Sequence, residues 1–210
     1  MNKGENIGGE ARKRAPRMSI EKRRAMIVKA ALPLLIEIGP TVTTLQIARA
    51  AGISEPAIYR AFADKNEVLT ACMEEAMNPN HIVTELEAIE TEGKIDERLT
   101  AIFEALRANS ERTMAVMHTV RMAMPQKSND QRSLSEQEKV KLIERRKTSF
   151  LKVHGAVCKI LKPDENNLRL TVEDIATLIL TIGMTPGRGI GPAMVTSDKL
   201  VDLILHGIMK

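Results

Sequence analysis

Between Thr43 and Phe62 the chain reads TTLQIARAAGISEPAIYRAF, and one glycine near the middle constrains how that stretch can fold. Gly52 follows a short run whose apolar face is Ile47, Ala48 and Ala51, and precedes a second run opened by Ser54 and Pro56. A turn at this point asks for positive φ, which costs glycine nothing. Thr43 with Gln46 three residues later makes a capping box, so the first run starts as a helix. Ser54 is expected to cap the second, with Pro56 in its first turn, where a missing N–H is tolerated. The alanines let the two helices approach closely. Two short helices joined by a tight turn form a helix-turn-helix, whose second helix lies in the major groove while the first crosses the backbone.

In that geometry the N-terminal part of the second helix, Ser54, Glu55, Pro56 and Ala57, faces base edges, while Ile58 and Phe62 pack inward. The hydroxyl of Tyr59 and the side chains of Arg60 and Lys65 reach phosphates, with Thr43 and Thr44 at the start of the first helix beside them. Lys65 also opens the next helix, whose free N–H groups favour an anion. The only tyrosine of the chain would thus give an aromatic body to the motif and a hydroxyl to the DNA. Charge agrees with a DNA partner. Residues 1–24 hold eight Lys/Arg against three acids, in a chain of net charge +4. Residues 1–19 have no apolar period and are expected to be a flexible basic arm. Within it Arg12, Lys13, Arg14 and Arg17 are candidates for minor-groove contacts.

The rest of the 210 residues predicts helices throughout, with no strand pattern and no repeat. Aromatics are 2% and Met numbers 12, so the core must be Leu, Ile, Val, Ala and Met, which suits packed helices. The stripe Ile20, Ile27, Ala31, Leu34, Ile38 predicts a first helix stopped by Gly39-Pro40, kinked by Pro33. Asp64 with Glu67 opens a linking helix over 64–77, which Asn78-Pro79 ends. One stripe runs Ile95, Leu99, Ile102, Phe103, Leu106 and another Met114, Met117, His118, Arg121, before a polar loop over 126–134. A long helix follows from Ser135 to Leu161, with the stripe Val140, Ile143, Lys147, Phe150, His154, Val157, Leu161. Two final helices, near 171–184 and 197–209, are apolar on more than one side. Such helices are buried around most of their circumference, and a second copy of the chain would bury them. The expected division is therefore an arm over 1–19, a DNA-binding domain over 20–77 and a helical effector-binding and dimerisation domain over 78–210.

The segment TTLQIARAAGISEPAIYRAFADKNEVL resembles the DNA-binding segment of TetR-type transcriptional regulators. The shared positions are Thr43, Ile47, Ala48, Ala51, Gly52, Ile53, Ser54, Tyr59, Phe62, Lys65 and Val68, within a stretch of about residues 20–77. Ala61 departs from the family, which often has His or Tyr before the Phe. Pro33 is unusual, and the first helix lacks the aromatic commonly found near Leu35. The resemblance implies an all-helical homodimer, responsive to a small molecule and usually a repressor, on a near-palindromic double-stranded operator.

No catalytic constellation is present. His81, His118, His154 and His206 are scattered without a metal-ligand partner, and Cys72 and Cys158 form no CxxC motif. The TPGRGIGP stretch at 185–192 lacks the Lys-Ser/Thr ending of a phosphate loop and follows a helix, so it is expected to be a linker. No enzyme activity, metal or cofactor is therefore expected. A pocket for a partly apolar effector is expected from Phe103, Met114, Met117, His118, Arg121, Phe150 and His154, since apolar walls with a few polar groups suit a small ligand. The first residues lack the apolar core of a signal peptide, and the longest nearly apolar run, Ile175 to Met184, is far short of the ~18–20 residues that span a bilayer. A cytoplasmic protein with no membrane partner is expected. A second reading keeps the small-molecule pocket and makes the N-terminal segment structural only.

Overall fold

The computed structural model describes residues 18–124, 135–183 and 196–208. The arm with Arg17, the polar loop over 126–134 and the glycine-rich stretch over 185–192 lie outside the described residues. Nine α-helices follow one another among the described residues, with no strand. They are α1 Ile20–Glu37, α2 Thr44–Ala50, α3 Glu55–Tyr59, α4 Lys65–Ala76, α5 Pro79–Glu87, α6 Ile95–Ala123, α7 Glu136–Leu161, α8 Val172–Gly183 and α9 Ser197–Ile208. Short 3₁₀ turns follow α1 and α7.

Local signals start most of these helices. Ser19 accepts from the Lys22 N–H at α1, and Ser135 with Glu138 closes a full capping box at α7. Asn78-Pro79, expected as a stop, is also a start: Asn78 accepts from the Asn80 N–H and Pro79 is the first residue of α5. Two expected stripes merge into one helix, since α6 runs 29 residues without a break. No Gly or Pro interrupts it, and at the usual helical rise it is ~43 Å long. In α1 the buried line is Ile27, Val28, Ala31 and Leu35. Ile20 and Ile38, expected on that line, are exposed. Pro33 stays inside α1.

Two cores divide the molecule, a first built on α1 to α4 and a second on α5 to α9. One gathers α5 to α9 around Leu99, Ile102, Phe103, Val157, Ile175 and Ile179. The other gathers α1 to α4 around Ile27, Leu35, Ile47, Ile58 and Leu69, and takes in Val116 and Val120 from the far half of α6. That helix belongs to both. It also closes two helix ends that would otherwise leave carbonyls unpaired. Thr113 donates its hydroxyl to the Ala76 carbonyl at 3.0 Å, and buried Thr119 donates to the Leu35 carbonyl at 3.1 Å. The border expected at residue 77 is therefore crossed by a rigid rod that packs on both sides of it.

A buried arginine ties the second core together. Arg98 is 4% exposed, and its Nη1 donates to the carbonyls of Thr91 at 2.8 Å and Ile160 at 3.0 Å. Its Nη2 pairs with Asp164 in the turn after α7.

The last two helices keep an uncovered apolar side. In α8 Val172, Ile175, Ala176, Ile179 and Leu180 are buried, but Leu178 and Ile182 are exposed. In α9 Val201 and Ile204 are buried, whereas Leu203 is 67% exposed.

Candidate nucleic-acid interface

The turn between α2 and α3 is fixed by backbone alone. Gly52 has φ of 67°, its N–H bonds the Arg49 carbonyl at 3.1 Å, and the Ile53 N–H bonds the Ala48 carbonyl at 3.0 Å. Those two bonds make a Schellman stop, which satisfies the last carbonyls of α2. At the other end, the Thr43 N–H donates to Gln46 Oε1 at 2.8 Å and the Gln46 N–H to Thr43 Oγ1 at 3.2 Å. Both halves of the expected box are formed.

Ser54 differs from expectation. It occupies the N-cap position of α3, yet its hydroxyl bonds none of the helix N–H groups. The reason is local. Pro56 has no N–H to offer, and the Ala57 N–H is already bonded to the Ser54 carbonyl at 2.9 Å. The exposed hydroxyl is left facing outward with Pro56.

Thr44 also turns out to be an inner residue. It is 8% exposed and donates its hydroxyl to Glu55 Oε1 at 2.5 Å. A hydroxyl has one proton, so the 3.2 Å contact between Thr44 Oγ1 and Tyr59 Oη is made with the Tyr59 proton. Glu55 and Tyr59, one turn apart on α3, are thereby held by a single side chain of α2. Tyr59 itself is half-exposed. Half-buried Ala57 precedes it on α3, exposed Arg60 follows it, and half-buried Lys65 opens α4.

The residue that spacing did not reveal is Arg24. From α1, its Nη1 donates to the Ala61 carbonyl at 2.6 Å and to Glu67 Oε1 at 2.7 Å. Its guanidinium lies 4.1 Å from the centre of the Phe62 ring. Glu67 Oε2 accepts from the Ala63 N–H at 2.5 Å, and Asp64 accepts from the Glu67 N–H at 2.8 Å. The Asp64 cap is as expected, but Glu67 reaches Ala63 and Arg24 rather than the cap backbone. The peptide just after α3 is thus pinned to α1. No local pattern could announce a pair 43 residues apart.

Acid should loosen this pin. The Ala63 N–H, and then the hydrogen bond from Arg24, hold the Glu67 carboxyl below its ordinary value of 4.5. A folded value below the unfolded one adds stability above about pH 4.5, and that stability is lost as pH falls through the depressed value. The Ala63 amide resonance should therefore titrate with a midpoint below 4.5. A midpoint at or above that value would mean that the carboxylate is not held there.

The seven residues expected to line an effector pocket are not brought around one cavity. Phe103 is buried in the second core. Met114, Met117, His118 and Arg121 share the exposed side of α6, opposite the residues Val116, Thr119 and Val120 that pack inward. Phe150 is exposed, with its ring 5.7 Å from that of His154, whose Nε2 contacts the Glu173 carbonyl at 3.0 Å and Thr177 Oγ1 at 3.2 Å. The stripes do not meet because α7 packs mainly on α5 and α8, not on α6. For the same reason Val140, Ile143 and Lys147, expected on the inner face of α7, are exposed, and the buried line begins at Val153.

A groove of about 840 Å³ lies instead where α1, α4 and the start of α5 meet α7. Its floor includes Val28, Leu32 and Ala71, and α7 presents Arg145, Thr148, Ser149 and Lys152 to it. Arg24 reaches it from the opposite side. Among the described residues no group of His, Cys, Asp and Glu could hold a metal ion, and no helix is long and apolar enough to cross a membrane.

Residues 27–72 match the model of the tetR family of bacterial regulatory proteins. No curated protein matches the sequence. Among solved structures, a transcriptional regulator from Rhodococcus sp. Rha1 is similar, at 20% identity over 88% of this chain and 97% of that one, with a TM-score of 0.50. A Mesorhizobium loti protein assigned to the TetR-family transcriptional regulators is 15% identical over 92% of this chain and 100% of its own, with a TM-score of 0.55. At these identities the structural likeness speaks for the fold. The Schellman turn at Gly52, the capped α2 and the family match make residues 27–72 a segment similar to that of the tetR family of bacterial regulatory proteins.

Proposed function

We propose that this regulator is a repressor which holds a near-palindromic operator as a homodimer and releases it when a small molecule binds. The observation that carries this reading is the outward face of α3. Ser54, Pro56 and Tyr59 are exposed there, on a helix whose inner side is fixed by Ile58 and by the Thr44 hydroxyl. Glu55 and Ala57 lie between them, so base contacts come from the first turn and phosphate contacts from Thr43, Tyr59, Arg60 and Lys65. Thr44 takes a supporting role in this reading, since its proton belongs to Glu55. When Tyr59 donates to a phosphate, its proton leaves Thr44.

Two recognition helices match half-sites about one turn, ~34–36 Å, apart. The dimer that sets their spacing is assigned to the uncovered apolar sides of α8 and α9, where Leu178, Ile182 and Leu203 are exposed. Leu203→Glu is expected to raise the dimer dissociation constant by at least about tenfold, because it would bring two carboxylates into an apolar seam. Sedimentation equilibrium of wild type and variant reads this directly, and an unchanged constant would move the seam elsewhere.

The operator itself is tested by selecting duplexes from a random pool and measuring binding at two salt concentrations. A palindromic consensus whose preference survives added salt supports the reading. Binding that falls alike on every duplex as salt rises would leave only charge attraction to phosphates, and would favour a small-molecule binder without operator recognition.

A further inference from the structure

We propose that the groove between α1, α4 and α7 is the effector site, that it takes a small apolar molecule carrying one carboxylate, and that Arg24 relays its occupancy to the recognition helix. The inference rests on the ligand-released regulator proposed above and names both the site and the chemistry.

Size and lining come first. A volume of about 840 Å³ falls within the range of small-molecule sites. The floor made by Val28, Leu32 and Ala71 offers aliphatic surface to a hydrocarbon body. Charge then selects the polar end. Four cationic side chains, Arg24, Lys29, Arg145 and Lys152, line the groove against two carboxylates, Glu74 and Glu75. Glu75 is already engaged with His81 at 2.8 Å. The side chains of Lys29 and Arg145 make no hydrogen bond or ion pair among the described residues, and that of Lys152 meets only the Asn80 side chain at 3.3 Å. A carboxylate entering this groove would meet cations that now repel one another, with Thr148 and Ser149 supplying hydroxyls one turn along. The spacing 145, 148, 149, 152 puts all four polar groups on the one side of α7 that faces α1 and α4.

The relay follows from the double duty of Arg24. It lines the groove, and it donates to the Ala61 carbonyl at 2.6 Å while pairing with Glu67. Ala61 follows Tyr59 by two residues, at the end of α3. A ligand carboxylate competes for the same guanidinium and draws it from Ala61, so the peptide that positions α3 loses its tie to α1. Effector and operator then favour different arrangements of one side chain, which is the differential contact that coupling between two sites requires.

The test uses the full chain and decanoate as probe, with decylammonium as the charge-reversed control. Binding is read by calorimetry, and the relay by tyrosine emission. The chain has one Tyr and no Trp, so that emission comes from Tyr59 alone. Decanoate should bind and change Tyr59 emission, and decylammonium should do neither. Arg145→Glu and Lys29→Glu, both at exposed positions, should each weaken decanoate binding by roughly tenfold or more. Equal binding of both probes, no heat with decanoate, or wild-type affinity in both variants would overturn the site. Binding that leaves Tyr59 emission unchanged would overturn the relay. None of these results depends on DNA, so failure here is separable from failure of operator recognition, which the duplex selection reads independently.

Discussion

Arg98→Ala should cost the fold about 3–5 kcal/mol, read as a fall in the denaturant midpoint at constant m-value. The guanidinium is 4% exposed, and three partners lose their donor at once. The Thr91 and Ile160 carbonyls become unpaired, and the Asp164 carboxylate, 20% exposed, loses its counter-ion. Ile160 is buried and Asp164 mostly so, and each is left without compensation, whereas exposed Thr91 can turn to water; breaking a buried pair thus costs more than the pair contributes. A second variant separates charge from packing. Arg98→Met combined with Asp164→Leu removes both charges and keeps apolar volume, so it should recover roughly half of the loss. Recovery stays incomplete because the Ile160 carbonyl still lacks a donor. Arg98 Nε has no hydrogen-bond partner even in the native fold, so the arginine is itself only partly compensated. If Arg98→Ala costs less than about 1 kcal/mol, water reaches this site and the tie between α6 and the end of α7 is not a stabilising one.

How much of this was legible before the coordinates depends on how far apart the causes sit. Gly52, Thr43 with Gln46, and Asp64 act over a few residues, and each cap appears where its spacing puts it. The inward positions of Ile58 and Phe62 follow from the same local geometry. Ser54 shows the limit of that logic, because the partner its hydroxyl would have used is absent at Pro56 and taken at Ala57. Arg24 and Glu67 join across 43 residues, and Thr119 reaches Leu35 across 84, which no periodicity encodes. The residues expected around an effector lie apart for a related reason. Polar residues on apolar stripes suggested convergence, but stripes converge only if their helices face one another. The helix α6 turns one side to the first core, and α7 lies on α5 and α8. The groove that does form is lined by Lys29, Arg145 and Lys152, which looked like ordinary solvated charges along the chain.

The helix α3 offers the second large effect, because two adjacent residues should fail in opposite ways. Ile58 is the one buried residue of α3 and is wholly inaccessible, so it is the apolar anchor of that helix, in the same core as Ile47 and Leu35. Ile58→Ala should lower global stability by about 2–5 kcal/mol, the usual loss for a truncated core side chain. Operator affinity should fall further than the population of unfolded chain explains. A helix of five residues cannot hold its shape without an anchor, so α3 opens locally before the rest of the molecule does. Tyr59→Ala is the complement. Tyr59 is half-exposed and gives its hydroxyl proton to Thr44, so its loss should leave the melting temperature within a degree or two while weakening specific binding by roughly tenfold. Tyr59→Phe divides the effect again, since it keeps the aromatic body and removes only the proton that a phosphate would receive. Measured together, hydrogen exchange at the α3 amides and operator affinity distinguish anchor from contact. Rapid α3 exchange is expected in Ile58→Ala and not in Tyr59→Ala. Equal loss of stability and binding in both would make Tyr59 part of the core, and the outward face of α3 would then no longer be the surface that reads DNA.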